Sequence, residues 1–313
     1  MSDYNLKNHW IVITNPRAGK NHLAKQCKYI LERLNDENIP HTFIITEYAG
    51  HAIEIAKENA LYGYRNFLVL GGDGTINEIV NGIFLSGIND TKNIILGLIP
   101  RGTGNDWGRF WGIRQNDKVA FETFIQGKTS LIDIGKITIT NNEKKDEHYF
   151  INSIGFGLDA KITAITNRLK KIFGGFSIIY TVALLLAVFR YKSTKTAVTI
   201  DNNTHIISLF TMNIANGPYS GGGIKQNPQA IPNDGIFDMM FAERPSIKDI
   251  LSVLPNIFNG KITENKVIKS FKATNISIRA NKGLLAETDG INIDNAHSSD
   301  IVIIPQAIQM IVP

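Results

Sequence analysis

Apolar positions in the first third of the chain alternate between two spacings. Short continuous apolar runs, typical of buried strands, are each followed by a stripe at helical spacing. The pattern predicts strands over residues 9–14, 41–46, 67–70 and 93–98, and helices over 22–34, 51–60 and 75–85. Strands that alternate with helices in this way predict a parallel sheet covered by helices, an α/β domain.

Beyond about Ser130 the pattern changes to short β-branched runs separated by Gly, Asn, Asp and Pro. These runs predict an antiparallel β-rich domain, with strands over 132–140, 149–154, 196–200, 206–214, 237–241 and 275–280. Helical insertions are predicted over 159–169, 176–189 and 246–258. We therefore expect an α/β domain over 1–131, which the tail 305–313 could complete, and a β domain over 132–304.

Composition agrees with two folded domains and excludes several classes of function. The chain has 313 residues, of which 43% are hydrophobic, and a net charge of +5. Its one cysteine, Cys27, lies on an apolar helical stripe and indicates a core thiol in a reducing cytoplasm. No nucleic-acid motif accompanies the basic groups. The apolar stretch 172–189, flanked by basic residues, favours a buried or interfacial helix over a membrane span.

The glycine-rich segment 71–82 is the most informative local feature. It follows an apolar strand, and Ile76, Ile79 and Val80 continue it as a helical stripe. Glycines let backbone N–H groups approach an anion at a helix start, so the segment indicates a phosphate loop, and Asp73 within it suggests an accompanying metal ion. A plain Asp-Gly hairpin is the alternative, but it would need alternating apolar residues after Gly74.

Two more loops should lie at the same sheet edge. Residues 15–20, beginning with Asn15, follow the first strand, and residues 100–106 follow the fourth. Thr103 and Asn105 could donate hydrogen bonds to phosphate or ribose, although the second loop could equally cap a helix near Asp106. The spacing of the first loop is not that of a P-loop.

Acidic and glycine-rich turns recur later in the chain. Asp159 is interpreted as an N-terminal helix cap, and residues 216–223 as a loop that lines a cavity. Asp234 in the turn 231–236 is either a ligand of a hard cation or part of a plain turn. Asp289 is either the carboxylate that accepts a hydroxyl proton in phosphoryl transfer or a structural turn residue.

Taken in order, these motifs resemble a known family. The segments 71–82, 100–106, 216–223 and 233–235 are similar to those of soluble bacterial diacylglycerol kinase-like lipid kinases, relatives of sphingosine and ceramide kinases. The resemblance implies an NAD-kinase-like α/β nucleotide-binding domain and a second, β-sandwich domain. It also implies ATP- and Mg²⁺-dependent phosphorylation of a lipid hydroxyl, first of all diacylglycerol to phosphatidic acid in phospholipid biosynthesis. Partners are then ATP and a lipid at the inner face of the membrane, reached from the cytoplasm by peripheral contact, with a homodimer left open.

The resemblance also implies roles for individual residues. ATP contacts fall on Asn15, Thr46, Gly71, Gly72, Asp73, Gly74, Thr75, Ile76, Asn77, Glu78 and Thr103. Asp73 would lie with the phosphates and the catalytic Mg²⁺, and Asp289 would be the base. A further Mg²⁺ would be held by Asp234 and the carbonyls of Ile231 and Ile236, linked through water to Asp133.

One position departs from the family pattern. Its catalytic turn reads Asp-Gly-Glu, whereas this chain has Ile291 after Asp289 and Gly290. Glu287 could compensate from the other side of the turn. Two other functions stay open at this point: an NAD kinase-like nucleotide kinase, and a lipid- or nucleotide-binding regulator with weakened catalysis.

Overall fold

The chain divides into two compact units, which are Met1–Ile132 together with Gln306–Pro313, and Asp133–Pro305. The computed structural model describes Leu6 and residues 8–16, 23–102, 104–141, 144–173, 187–188, 191–256 and 259–313. The predicted loop 15–20 is therefore described only at its first two residues, and Thr103 lies outside the described residues. Of the apolar stretch 172–189, the backbone of 172–173 and the two residues Ala187 and Val188 are described, all of them helical.

The first unit is an α/β fold. Its strands are β1 (Trp10–Thr14), β2 (His41–Ile45), β3 (Asn66–Gly71) and β4 (Ile95–Pro100). Its helices are α1 (Leu23–Asp36), α2 (His51–Tyr62), α3 (Asp73–Leu85), α4 (Asp106–Phe110) and α5 (Asp117–Gln126), with a 3₁₀ turn at Thr91–Asn93. Cys27, Ile30 and Leu34 are buried along α1, which confirms the predicted core stripe.

The sheet of the first unit is parallel, with β1 between β2 and β3, and β4 beyond β3. Gln309 and Met310, at the end of the last strand of the chain, add a parallel pairing to β4. Every residue of β3 is buried, as expected for a strand covered by helices on both faces. The chain moves from β1 outward to β2 and returns on the other side to β3, so the order reverses between β1 and β3.

The second unit is built of antiparallel strands. They are β5 (Thr129–Asn141), β6 (Lys144–Phe150), β7 (Ser153–Gly157), β8 (Thr194–Ile200), β9 (Asn203–Ala215), β10 (Phe237–Glu243), β11 (Ile268–Ala273), β12 (Asn275–Thr288) and β13 (Ile291–Ile311). Its helices are α6 (Leu158–Phe173) and α7 (Ile247–Val253), with 3₁₀ turns at Leu254–Asn256 and Ile262–Glu264.

Long strands give this unit its sandwich architecture because they change partners along their length. The first half of β12 pairs with β8 and its last residues pair with β7. Likewise β9 pairs with β8 near its start and with β7 near its end. Register shifts in β12 near Leu284 accompany the change, as at sheet corners in sandwiches. Phe150, Phe156, Met212, Phe237 and Leu284 belong to the buried core that the strands enclose.

The fold class predicted from the sequence is confirmed, with differences in detail. The predicted strand 149–154 is wrong, because the chain bends at Ile151 and Asn152 between β6 and β7. The two tail segments 301–304 and 308–312 belong largely to one strand, β13, which ends at Ile311. Helix α5 and strand β11 had no counterpart in the sequence interpretation.

Candidate active site

The carboxyl ends of the parallel strands in the first unit gather several of the predicted nucleotide contacts. Thr14 is in register with Ile45 and with Leu70, and Gly71 is in register with Pro100. The residues that follow these strand ends, Asn15, Thr46, Gly72 and Arg101, therefore share one edge. The Thr46 N–H donates to the Thr14 carbonyl (2.9 Å), and the Thr14 hydroxyl donates to the Leu70 carbonyl (3.1 Å).

Gly72 is the point where two of these loops meet. It is the N-cap of α3, and a Cβ placed on it would lie 2.7 Å from the Gly102 Cα, closer than real Cβ atoms come. The backbones can therefore approach only because neither residue has a side chain. Helix α3 begins two residues earlier than predicted, so Asp73 and Gly74 belong to its first turn. The hairpin alternative for this segment is wrong.

Asp73 connects the loop after β3 to the helix after β4. Its Oδ2 accepts a hydrogen bond from the Asp106 N–H and its Oδ1 accepts one from the Trp107 N–H, both at 3.1 Å. Burial raises the pKa of the Asp73 carboxyl, while these amide donors act in the opposite direction. Asp73 therefore supplies the first turn of α4 with acceptors, and the carboxylate is fixed in direction.

Asn105 is turned back onto its own loop. Its Oδ1 accepts from the Gly102 N–H and its Nδ2 donates to the Gly102 carbonyl, both at 2.7 Å. One hydrogen of the Asn105 amide is used within the loop, and the expected donation to phosphate or ribose stays a prediction. Asn105 occupies the N-cap position of α4, but its side chain makes no capping hydrogen bond.

The later residues of the glycine-rich segment point into the first unit. Ile76 is fully buried, and Asn77 accepts two hydrogen bonds from the Asn81 Nδ2. Glu78 Oε1 accepts from the Gly50 N–H at 3.1 Å, and burial raises the pKa of the Glu78 carboxyl. The side chain of Glu78 thus anchors the loop before α2, and that of Asn77 lies within α3.

The residues predicted to hold the second Mg²⁺ lie close together in the second unit. Asp133 is fully buried on β5, and its Oδ2 accepts from the Gly235 N–H at 2.7 Å. Its own N–H donates to the Pro232 carbonyl at 2.7 Å. Asp234 is exposed in the same turn, and its Oδ1 accepts from the Ile236 N–H at 3.1 Å. One carboxylate and nearby backbone carbonyls are hard oxygen donors of the kind that Mg²⁺ takes, so the donor set fits the ion.

Asp289 lies in a tight turn between β12 and β13. Its carboxylate accepts three backbone N–H groups from the bend between β6 and β7, those of Ile151 (2.8 Å), Asn152 (3.0 Å) and Ser153 (2.8 Å). Its own N–H donates to the Ser153 carbonyl at 3.0 Å. The bend that broke the predicted strand is therefore the segment that holds Asp289.

The interpretation of Asp159 as a helix cap is wrong. Helix α6 begins at Leu158, and the buried Asp159 carboxylate accepts from side-chain amides, Asn213 Nδ2 (3.0 Å) and Gln226 Nε2 (3.1 Å). Asn213 is a polar residue within an apolar strand, which is a signal that sequence reasoning could have used. Gln226 carried no such signal.

An apolar pocket in the second unit lies beside this cluster. Its space measures about 700 Å³, the open mouth included. Apolar residues of α6, β9, β10 and α7 line it, among them Leu158, Phe210, Met240 and Ile250. Asp159 and Gln226 are the polar groups beside them, and the Gln226 Oε1 is buried without a hydrogen-bond partner. The glycine-rich loop 216–223, expected to line a cavity, is not part of the lining of this pocket, whereas Ile224 and Gln226, which follow the loop, are.

Two kinds of feature are absent from the described residues. They contain no cluster of three or more His, Cys, Asp or Glu side chains placed to hold a metal ion. Within the same part of the chain, no helix has both the length and the apolar character needed to cross a membrane.

Comparison with known families decides between the functions left open. The family model of the diacylglycerol kinase catalytic domain matches residues 9–137, and that of the YegS C-terminal NAD kinase beta sandwich-like domain matches residues 152–312. The chain belongs to the diacylglycerol kinase-like family of lipid kinases.

Individual relatives agree with this membership. The chain is 29% identical over 283 residues to a diacylglycerol kinase of Bacillus subtilis, covering 89% of this chain and 88% of the relative. It is 27% identical over 319 residues to a diacylglycerol kinase of Mycobacterium tuberculosis, covering 100% and 99%. The crystal structure of a diacylglycerol kinase from Bacillus anthracis superposes with a TM-score of 0.71 at 22% identity over 98% of this chain and 97% of the other, which supports the fold.

As a lipid kinase of this family, the chain is an enzyme that phosphorylates a lipid. The resemblance stated from the motifs is confirmed, and the hypothesis of a regulator without turnover finds no support.

Proposed function

We propose that this lipid kinase transfers the γ-phosphoryl group of ATP to the hydroxyl of diacylglycerol and forms phosphatidic acid. The assignment of an ATP-binding site rests on the reversal of strand order between β1 and β3. In open parallel sheets, ligands bind at the carboxyl ends of the strands where the order reverses. Asn15 and the segment Gly71–Thr75 follow the two strands that flank this point.

The start of α3 supplies the phosphate contacts in this proposal. The first N–H groups of a helix have no acceptor within it, and the helix dipole favours negative charge there. The N-cap, Gly72, has no side chain to offer those groups an acceptor. We assign the phosphates to the backbone of Gly71 to Thr75, and ATP contacts to Asn15, Thr46 and Thr103 as well. The Asn77 side chain supports α3 by accepting from Asn81, and the Glu78 side chain anchors the loop before α2.

The apolar pocket of the second unit supports a lipid as the acceptor. Acyl chains gain free energy when they leave water for such a lining, at about 25 cal/mol per Å² of apolar surface. A buried amide oxygen without a partner costs free energy unless a donor reaches it. The Gln226 Oε1 is such an oxygen, so a ligand that brings a hydrogen-bond donor into the pocket would satisfy it. A hydrophilic acceptor such as NAD would leave the apolar lining unused.

The chemistry needs one bond formed and one broken. The lipid hydroxyl oxygen attacks the γ-phosphorus, the bond from that phosphorus to the β,γ-bridging oxygen breaks, and ADP leaves with the electron pair. The hydroxyl proton passes to Asp289, whose carboxylate is oriented by three amides. Because phosphoryl transfer depends mainly on positioning and charge stabilisation, a fixed carboxylate matters more here than a strongly basic one.

Mg²⁺ would supply charge neutralisation to the phosphates when bound. Asp73 is the residue we assign to the ion that accompanies ATP. Asp234, the carbonyls of Ile231 and Ile236, and Asp133 are assigned to a second ion with a structural role. Because diacylglycerol resides in membranes, we also propose that the protein works in the cytoplasm and reaches the inner membrane surface by peripheral contact.

The proposal is tested by a screen without a chosen substrate. The purified protein is incubated with radiolabelled ATP, Mg²⁺ and a total lipid extract, and labelled lipids are identified by mass spectrometry. We expect label in phosphatidic acid, and its loss when Mg²⁺ is chelated. If the label is found in a different phosphorylated lipid, the substrate is the precursor of that lipid and not diacylglycerol. If NAD is added to the incubation and is the only labelled product, the lipid assignment is overturned.

A further inference from the structure

Two carboxyl groups meet in the interior of the second unit. Glu287 on β12 and Asp159 on α6 are both buried, with 5% and 6% of their surface exposed. They approach each other over Gly155 of β7. A Cβ at Gly155 would lie 2.4 Å from the Asp159 Oδ2 and 2.6 Å from the Glu287 Oε1, so the two oxygens occupy the space that a side chain would fill.

No cation balances the pair among the described residues. The ionisable groups that act on the Glu287 carboxyl are Asp159 from α6 and Asp289 from its own turn, both acidic. β7 contributes only the Gly155 N–H, and the Gly290 N–H donates to the Glu287 Oε2 at 2.7 Å. Two adjacent buried carboxyls cannot both ionise cheaply. Burial and the charge of Asp159 accordingly raise the pKa of Glu287 well above its ordinary value.

Hydrogen bonds indicate which member keeps the proton. Both oxygens of Asp159 accept from amide NH₂ groups, those of Gln226 and Asn213, which satisfies an ionised carboxylate. Glu287 accepts the Gly290 N–H at its Oε2, and its Oε1 shares with the Asp159 Oδ2 the space above Gly155. We infer that Glu287 is protonated at neutral pH, donates its O–H to Asp159, and thereby holds the Asp289–Gly290 turn in shape.

The turn needs such support. Asp289 and Gly290 both have left-handed backbones, with φ of 47° and 84°, and this is strained for Asp289. Glu287 holds the Gly290 N–H, while Asn167 Nδ2 of α6 donates to the Gly290 carbonyl at 2.9 Å. Glu287 is thus a positioning residue for Asp289, a role that rests on the proposed function. Glu287 has this positioning role in a chain that has an isoleucine, Ile291, directly after the Asp289–Gly290 turn.

The test compares Glu287→Gln with Glu287→Leu. A glutamine copies the protonated acid, because its NH₂ donates to Asp159 and its oxygen accepts from Gly290. We expect Glu287→Gln to keep kcat for diacylglycerol in mixed micelles near pH 7. We expect Glu287→Leu, which can make neither contact, to lose on the order of 100-fold in kcat through misplacement of Asp289. Glu264→Gln, at an exposed position of the same unit, is the control.

Thermal unfolding between pH 5 and 9 provides a readout that does not depend on activity. The folded protein binds a proton at Glu287 that the unfolded chain releases near its ordinary pKa of 4.5, so wild-type stability falls as pH rises above that value. In Glu287→Gln this contribution to the pH dependence of stability is absent. The Tm of Glu287→Gln relative to that of wild type should therefore increase as the pH rises. A difference in Tm between Glu287→Gln and wild type that stays constant from pH 5 to 9 would show that Glu287 is ionised in the folded protein over this range.

The two proposals fail in different ways. If no lipid is phosphorylated but the unfolding slopes differ as expected, the carboxyl pair stands and the proposed reaction falls. If diacylglycerol is phosphorylated but the Tm values of wild type and Glu287→Gln change with pH in the same way, the reaction stands and the shared proton is wrong.

Discussion

The two units each contain an aspartate just after a strand whose carboxylate holds backbone amides of another segment. Asp73 follows β3 and accepts the Asp106 and Trp107 N–H groups, and Asp289 follows β12 and accepts the N–H groups of residues 151–153. Their surroundings differ. Asp73 lies in the first turn of a helix of ordinary geometry, whereas Asp289 has a left-handed backbone.

The difference shows two ways to fix a functional carboxylate. The backbone position of Asp73 follows from its neighbours in sequence, since a glycine N-cap and a helix start are local features, and only its carboxylate contacts the distant Asp106 and Trp107 N–H groups. The position of Asp289 depends on side chains that are distant in sequence. Asn167 donates to the Gly290 carbonyl, and Asp159, which lies near Glu287, is held by a hydrogen bond from Asn213. Substitutions should therefore separate a locally encoded site from one that the tertiary structure assembles.

The largest effect is expected from Asp289→Ala. Removal of the carboxylate leaves three amides without their acceptor, which should lower the free energy of unfolding by about 3 kcal/mol. Loss of the proton acceptor should lower kcat by about 100-fold or more. Urea unfolding and labelled-ATP assays measure the two effects, with the exposed Asp146→Ala as the control. Full activity in Asp289→Ala would remove Asp289 from the reaction.

Asp73→Asn should distinguish the structural role of the Asp73 carboxylate, which is to cap α4, from its proposed role in Mg²⁺ binding. One amide oxygen can replace only one of the two acceptors, so we expect a loss of about 1 kcal/mol in stability. We expect a larger effect on the reaction, at least about 10-fold in the Mg²⁺ concentration needed for half-maximal rate, because a charged ligand is lost. An unchanged Mg²⁺ dependence, with only the stability lowered, would leave Asp73 with the purely structural role of capping α4.

A matched glycine pair tests the loop itself. A Cβ at Gly72 would collide with the Gly102 backbone, whereas a Cβ at Gly74 meets nothing within 4 Å. Gly72→Ala should therefore cost about 1–3 kcal/mol of stability, and Gly74→Ala should cost nothing measurable in the free protein. If both variants bind ATP as tightly as wild type by calorimetry, phosphate does not lie against this loop.

The smallest effect is expected from Ile291→Glu, which introduces the residue that the motif resemblance implies at this position. If Glu287 already supports the turn, the added carboxylate should change kcat by less than about threefold. A gain of more than 10-fold, measured with diacylglycerol under the same conditions, would show that the turn lacks an acid that Glu287 does not replace.

The sequence predicted well what is encoded locally. The apolar spacing at Ile76, Ile79 and Val80 correctly gave a helix after Gly71–Gly72, and the strand ends placed Asn15 and Thr46 on one edge. Those elements form because the spacing of apolar residues decides which face is buried.

What depends on distant partners could not be predicted. Asp159 has the sequence setting of a helix cap, yet its partners Asn213 and Gln226 come from β9 and the loop after it. The bend at Ile151 and Asn152 exists because Asp289 takes their N–H groups, and no local residue signals that. The sequence indicates Glu287 as an acid that could compensate for Ile291, but its burial and the neighbouring charge of Asp159 depend on α6 and could not be predicted.

One measurement tests the account most directly. Purified protein, γ-labelled ATP and diacylglycerol in mixed micelles are combined with Mg²⁺, and lipid and aqueous products are separated. We predict labelled phosphatidic acid from wild type and at least about 100-fold less from Asp289→Asn. Label confined to the aqueous phase, or equal lipid labelling by both proteins, would contradict the assignment of Asp289 and of the lipid acceptor.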